Sequence, residues 1–242
     1  SILFEKYEFV SAILLQSRTS LNLSTEVLFD RVKTELPLTF WSKVTHDISC
    51  HINLGKNRNT GVFLDMRAGW DWVRLNSRNK HVLNLFSYTS IFSLFALKGK
   101  ANSVVNLDMA AGVLKTAQRN HSHNELGDNK ASFYKRDILK SASQYSRQGP
   151  YDLIIIDPPP YQKKSFRGWT DYEKLLKRCE KNLNPQGSIL ASLNNPHVSI
   201  QEYCANLRAL FPDAKEIDQV ETSSEIKEVD VSKGLKLVII SF

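Results

Sequence analysis

An α/β fold is predicted for this chain: a seven-stranded mixed sheet whose last strand runs antiparallel, preceded by a small N-terminal α+β extension. Three observations predict it. From about residue 81 onward, short β-branched runs alternate with helical stripes, the pattern of stacked βα units. One run, YDLIIIDPPPY at residues 151–161, is apolar throughout its middle, as in a strand buried on both faces, and then stops at an acid and three prolines. The last two strands, near 215–221 and 235–241, are separated by the polar stretch 222–234, with no crossover helix. Parallel neighbours need such a crossover, so the final strand should enter antiparallel.

The elements follow in order. Residues 81–86 (HVLNLF) form the first strand of the main sheet, and 88–97 a short helix that is apolar nearly all round. Residues 103–108 (SVVNLD) form the second strand. Ala110, Val113, Leu114 and Ala117 then recur at helical spacing. A weak third strand covers 131–134 and a fourth 153–156. A helix from about residue 170 carries Tyr172, Leu175, Leu176, Cys179 and Leu183 on one face. After a turn at 185–187 comes the fifth strand, 188–192, and then a helix over 199–211 with Ile200, Tyr203, Cys204, Leu207 and Phe211 as its stripe. Ahead of these units, 25–36 reads as a short helix and 38–54 alternates like a hairpin. A basic turn at 55–59 sets the expected boundary, with an extension over 1–56 and the main domain over 57–242.

Composition narrows the function. Hydrophobic residues make up 42% and charged residues 24%, which excludes wholesale disorder. No apolar run approaches the roughly 18 residues of a membrane span. The opening SILFEKYEFVSAILLQ has acids inside its apolar stretch and no basic leader, so no signal peptide is expected. A net charge of +7 suits a polyanionic partner. Cys50, Cys179 and Cys204 are far apart with no CxxC, and the six histidines show no ligand spacing. Neither a metal site nor a disulfide framework is expected, and the chain reads as reduced and cytoplasmic.

The chemistry gathers where strands end, since ligands of open α/β sheets sit outside the carboxyl ends. The loop after the first strand is Phe86-Ser87-Tyr88-Thr89-Ser90, and Asp108 ends the second strand 22 residues after Phe86. That spacing suits an acid on ribose hydroxyls, while a loop without glycine disfavours a pyrophosphate lying against its backbone. A nucleoside without phosphates fits better than a dinucleotide. Asp137, past the third strand, either accepts from an adenine amine or caps a helix. Asp157, with Pro158, Pro159 and Tyr161, places a carboxylate, a stiff turn and a flat ring together.

The segments VLNLFSYTSIFSLFAL, VVNLDMAAGVLKTAQRN, YKRDIL and YDLIIIDPPPYQK, in that order, resemble class I S-adenosylmethionine-dependent methyltransferases of Rossmann-like fold. Within that class the chain is similar to the ribosomal RNA large-subunit group acting on cytosine-5 or guanine-N7 of 23S rRNA. TGVFLDMRAG, residues 60–69, resembles that group's entry motif. The resemblance implies S-adenosyl-L-methionine as cofactor and large-subunit rRNA as partner. It implies that Phe86, Ser87, Tyr88, Thr89, Asp108 and Met109 line the methionine and ribose portions. Asp137 and Ile138 would face the adenine, and Phe63, Asp65 and Arg67 would form an outer wall. Asp157, Pro158 and Pro159 would flank the sulfonium and target base, with Tyr161 stacked on the base.

Two departures from the group matter. Ser90 stands where the group has glycine, at a cost of roughly 1 kcal/mol if that position needs a positive φ. The cytosine-5 enzymes carry a nucleophilic cysteine just after the fifth strand, where this chain has Ala191-Ser192-Leu193-Asn194-Asn195. A ring carbon needs covalent help that a nitrogen lone pair does not. N-methylation is therefore expected, and Asn194-Asn195 resembles the guanine-N7 branch. Lys56, Arg58, Lys163, Lys164 and Arg167, with Phe166 and Trp169 interleaved, suit RNA phosphates and bases. The rival reading is a non-catalytic RNA-binding or ribosome-assembly protein on a methyltransferase scaffold.

Overall fold

The structure, a computed structural model, describes residues 10–18, 23–31, 33, 35–36, 38–55, 59–126, 129–159, 166, 168–221 and 230–242. The chain divides into two compact units, Ser1–Val62 and Phe63–Phe242.

In the first unit two antiparallel pairs form: β1 (Ala12–Arg18) with β2 (Leu23–Asp30), and β3 (Leu38–Thr45) with β4 (Ile48–Leu54). The hairpin expected over 38–54 is β3–β4. Along β4, Ile48, Cys50 and Ile52 are buried and Ser49 and His51 are half-buried, the period of two that a strand imposes. The helix expected over 25–36 is corrected. Its first half is β2, where Val27 and Phe29 are β-formers placed across from Leu14 and Ile13. A partner strand supplied what the local helical spacing left out. Gly61 has φ +114°, and a Cβ there would meet the His51 carbonyl oxygen at 2.7 Å, so a side chain has no room.

The second unit is built on a seven-stranded sheet. Its strands are β5 (His81–Leu85), β6 (Ser103–Asp108), β7 (Ala131–Lys135), β8 (Tyr151–Ile156), β9 (Leu183–Leu193), β10 (Glu216–Gln219) and β11 (Lys236–Ser241). The order is β10-β11-β9-β8-β5-β6-β7, with β11 antiparallel to both its neighbours. The remaining pairs are parallel. The antiparallel last strand is thus as expected. β9 begins earlier than the sequence indicated, because 185–187 lies inside it and shifts the register against β8 while Gln186 takes φ +67°.

Among the described residues six α-helices flank this sheet: α1 (Arg67–Asn76), α2 (Ile91–Lys98), α3 (Ala111–His123), α4 (Ala142–Ser146), α5 (Trp169–Glu180) and α6 (Ile200–Leu210). One core joins Leu83, Leu85, Ile154, Ile156, Ile189 and Ile240 to Tyr145 of α4, Leu175 and Leu176 of α5, and Leu207 of α6. Their strand neighbours alternate to the other face. There Asn106 of β6 meets Ser93 of α2, and Trp70 of α1 packs on Phe95. Cys179 and Cys204 are buried, as helix-stripe residues should be. α1 and α4 were not foreseen; α1 buries only Gly69, Trp70 and Val73, too thin a stripe to stand out in sequence.

Candidate active site

Strands β5 and β8 are adjacent and parallel, with Leu85 across from Ile156. From β5 the chain proceeds outward through β6 and β7, whereas β8 leads to β9 on the other side. The sheet therefore reverses direction between β5 and β8, and the crevice above that point is where open sheets bind ligands. Phe86 and Asp157 are the residues that leave the two strands there.

On the β5–β6 side the loop is held in an unusual shape. Phe86, Tyr88 and Ser90 have φ values of +56°, +48° and +59°, all left-handed and none of them glycine. Each costs on the order of 1 kcal/mol or more, so the surroundings must impose the conformation. They do so through hydrogen bonds. The Ser87 amide donates to the Leu107 carbonyl (2.9 Å), and the Tyr88 amide to Asp108 Oδ2 (3.0 Å). Nδ2 of the buried Asn120, on α3, donates to the Thr89 carbonyl (3.1 Å). Ser90, the N-cap of α2, places no side-chain bond on that helix, and its Oγ and that of Ser87 are buried without partners. The left-handed Ser90 is the departure from glycine anticipated above.

Asp108 accepts the Ala110 amide at Oδ1 (2.9 Å) as well as the Tyr88 amide at Oδ2. A carboxylate oxygen has two lone pairs, so each keeps one for a further donor. Met109 beside it is 40% exposed, an apolar surface at the rim of the crevice. Phe63 is similarly exposed, with its ring 5.5 Å from that of Tyr88. Arg67 opens α1 and pairs with Asp71 at 2.9 Å. Asp137 does not cap α4, whose N-cap is Ser141; it pairs instead with Lys140 at 3.4 Å. The Ile138 side chain is buried in the core, so only its backbone can face a ligand.

On the β8–β9 side, burial pushes the Asp157 carboxyl up from 3.8 to about 6. A hydrogen bond from Ser192 Oγ acts the other way, and the nearby charge of Asp65 adds to the rise. Ser192 was missed in sequence, yet the parallel register foretells it. Ile156 lies across from Ala191, so the next residues on each strand meet. Behind them the buried Tyr172 hydroxyl donates to the Ser192 carbonyl (2.8 Å) and meets the Tyr203 hydroxyl at 3.0 Å. Pro158 is buried and Pro159 half-buried. A cavity of about 240 Å³ opens beside them, reaching Trp169 of α5, Asn194 after β9 and Glu202 of α6. Tyr161, Lys163, Lys164 and Arg167, like Lys56 and Arg58, lie outside the described residues.

Among the described residues no group of His, Cys, Asp and Glu could hold a metal ion, and no helix is long and apolar enough to cross a membrane. One half of the crevice suits a nucleoside: an acid with spare lone pairs, apolar edges, and an uncapped helix start for a charged tail. The other half suits a flat acceptor.

Comparison with known proteins agrees. Residues 12–241 match the family model for S-adenosylmethionine-dependent methyltransferases. Ribosomal RNA large subunit methyltransferase I of Pseudoalteromonas translucida is 35% identical over 146 residues, 57% of this chain and 36% of that protein. Methyltransferase K/L from the same organism is 34% identical over 148 residues, 59% of this chain and 21% of that protein. The matched region thus spans about a third or less of these relatives' length. A methyltransferase solved with S-adenosylhomocysteine superposes with a TM-score of 0.77 at 27% identity, covering 90% of this chain and 59% of that one. A crevice at the reversal of the sheet, shaped for a nucleoside and a planar acceptor, and a family match over nearly the whole sequence lead to one assignment: the chain belongs to the S-adenosylmethionine-dependent methyltransferases.

Proposed function

We propose that this protein transfers a methyl group to a nitrogen of a nucleobase in ribosomal RNA. The observation that carries the choice of nitrogen is the acceptor strand end, where Ser192 and Asn194 stand and no thiol is present. All three cysteines of the chain are buried, and burial pushes the Cys179 thiol up, away from a reactive thiolate. Activating a ring carbon requires such a nucleophile; a nitrogen brings its own lone pair. The net charge of +7 and the rRNA enzymes among the relatives support RNA as partner. In this reading residues 57–242 are the catalytic domain, 1–56 an extension, and the protein works in the cytoplasm.

S-adenosylmethionine supplies a methyl group made electrophilic by its sulfonium. Asp108 would accept the ribose hydroxyls, with Met109, Asp137 and the Ile138 backbone at the adenine. Phe86, Ser87, Tyr88 and Thr89 would surround the methionine, and Phe63 and Arg67 would close the outer side. Asp157, with Pro158, Pro159 and Tyr161, would orient the base. The protein's contribution is alignment and exclusion of water, since little proton transfer is needed. Asp157 in its ionised form also places a negative charge near the reacting centre.

The test is calorimetric titration with S-adenosylmethionine, then transfer of labelled methyl to RNA from cells lacking the gene. Micromolar binding and a single methylated nitrogen are the expected results. Absence of cofactor binding at millimolar concentration would favour the non-catalytic scaffold, for which the three left-handed residues of the cofactor loop are the motive.

A further inference from the structure

The cavity beside Pro158 and Pro159 carries more chemistry than stacking requires. Glu202 and Asn206 stand four residues apart, on one side of α6, and both line it. Asn194 reaches it from the end of β9. Other polar groups nearby are engaged: Asn195 Oδ1 accepts the His197 amide (3.0 Å), and the Tyr172 hydroxyl donates to the Ser192 carbonyl. By contrast, the side chains of Asn194, Glu202 and Asn206 have no hydrogen-bond partner among the described residues. The apolar walls are rigid, since Trp169 is set edge-on against both Tyr172 and Tyr203, and Phe166 against Phe86.

An ionised carboxylate only accepts hydrogen bonds, and its two oxygens suit two adjacent N–H donors. Among the four bases guanine alone offers that pair, N1–H and the N2 amine, beside the O6 acceptor. Adenine and cytosine set one amine next to a ring lone pair, which a carboxylate repels. Uracil sets one N–H between two carbonyls. We propose that Glu202, with Asn206, is the residue that selects guanine in this cavity by binding its N1–H/N2–H₂ edge, and thereby directs the methyl group to N7. The proposal rests on the base N-methylation reading above. Once N1 and N2 are held by Glu202, N3 and N7 are the ring nitrogens left with a lone pair; N3 lies between the held N2 amine and the ribose, whereas N7 is on the open, opposite edge.

The transfer balances without a base. N7 gives its lone pair to the methyl carbon, the carbon–sulfur bond breaks with its electrons going to sulfur, and the positive charge moves onto the guanine ring. No proton leaves. A positively charged ring is a stronger N1–H donor, so the bond to Glu202 tightens as the methyl group arrives. Binding that grows toward the transition state raises kcat, not affinity alone. Glu202 therefore acts on rate as well as on choice of base.

The test uses the 242-residue chain, RNA from cells lacking the gene, and two nucleotide probes. Wild type should form 7-methylguanosine as its sole product. Glu202→Gln should lose about 100-fold in kcat/KM, partly through kcat, with affinity for S-adenosylmethionine unchanged. In direct titration, wild type should bind guanosine monophosphate about tenfold more tightly than inosine monophosphate, which lacks the N2 amine, and Glu202→Gln should show no preference. Asn206→Ala, which withdraws the O6 partner, should weaken guanosine and inosine monophosphate alike, by a smaller factor, because both carry O6. Glu202 is exposed on its helix, and retained cofactor binding verifies that the variant is folded. Methylation at a nitrogen of a different base, or a Glu202→Gln enzyme as fast and as selective as wild type, overturns the guanine assignment and leaves base N-methylation standing; a carbon-methylated base overturns both. Cofactor binding without transfer to any RNA nucleoside overturns the broader reading, and the assignment with it.

Discussion

The loops that leave β5 and β8 border the same crevice and are shaped by opposite means. Beyond β8, Pro158 and Pro159 fix their own φ angles, so the path after Asp157 is stiff whatever surrounds it. Beyond β5 three residues sit in a conformation their side chains disfavour, and the shape comes from outside, through Asp108, the Leu107 carbonyl and Asn120. A loop imposed by distant partners is sensitive to those partners; a loop built from proline is not. The cofactor half of the site should therefore fail through mutations away from the ligand, and the acceptor half through changes in its own charge.

The largest expected effect is at Asp108. Asp108→Ala removes the acceptor for the Tyr88 and Ala110 amides together with the proposed ribose contact, and should weaken S-adenosylmethionine by about 100-fold or more in calorimetry. Next is the pH dependence of transfer. The Asp157 carboxyl, raised to about 6, is neutral below that pH, so kcat should fall about tenfold per unit on acidification, and Asp157→Asn should be slow with no such slope. Stability should run the other way. Between about pH 4 and 6 the folded protein holds a proton that the unfolded chain has released, so stability declines as pH rises through that window, and Asp157→Asn removes the decline. Asn120→Ala should lower stability by about 1–3 kcal/mol in urea and cofactor affinity by about tenfold. If Pro159→Ala is equally damaging to cofactor affinity, the contrast between the two loops is broken. The smallest effect is favourable: Ser90→Gly relieves a left-handed φ and removes a buried, unpartnered hydroxyl, and should raise stability by about 1 kcal/mol.

The middle of the sheet was legible because its strands are buried on both faces and read as short apolar runs; Leu153–Ile156 needed no context, whereas β7 is half-buried and read as weak. The antiparallel β11 followed from the missing crossover. Ser90 was legible as a departure, and its left-handed φ is the expected reason. What escaped depended on partners distant in sequence. β2 took strand form because β1 lies beside it, whatever its helical spacing. Asn120 sits 31 residues from the carbonyl it binds, inside a helical stripe where an amide carries no local signal. Asp157 was identified, but its altered acidity comes from burial and from Asp65, 92 positions earlier, which only the fold brings close.

Because β11 runs against its neighbours, it starts at the edge of the sheet where the other strands finish. Its first residue, the buried Lys236, donates from Nζ to the Asn195 carbonyl (2.8 Å), at the turn that borders the acceptor cavity. Among the strands of the described residues this one is synthesised last. During translation β8 and β9 emerge well before the lysine that fastens the turn between β9 and α6. A nascent chain can thus form most of its cofactor crevice while its acceptor side is still unfastened, and that side is completed only when β11 slides in between β10 and β9.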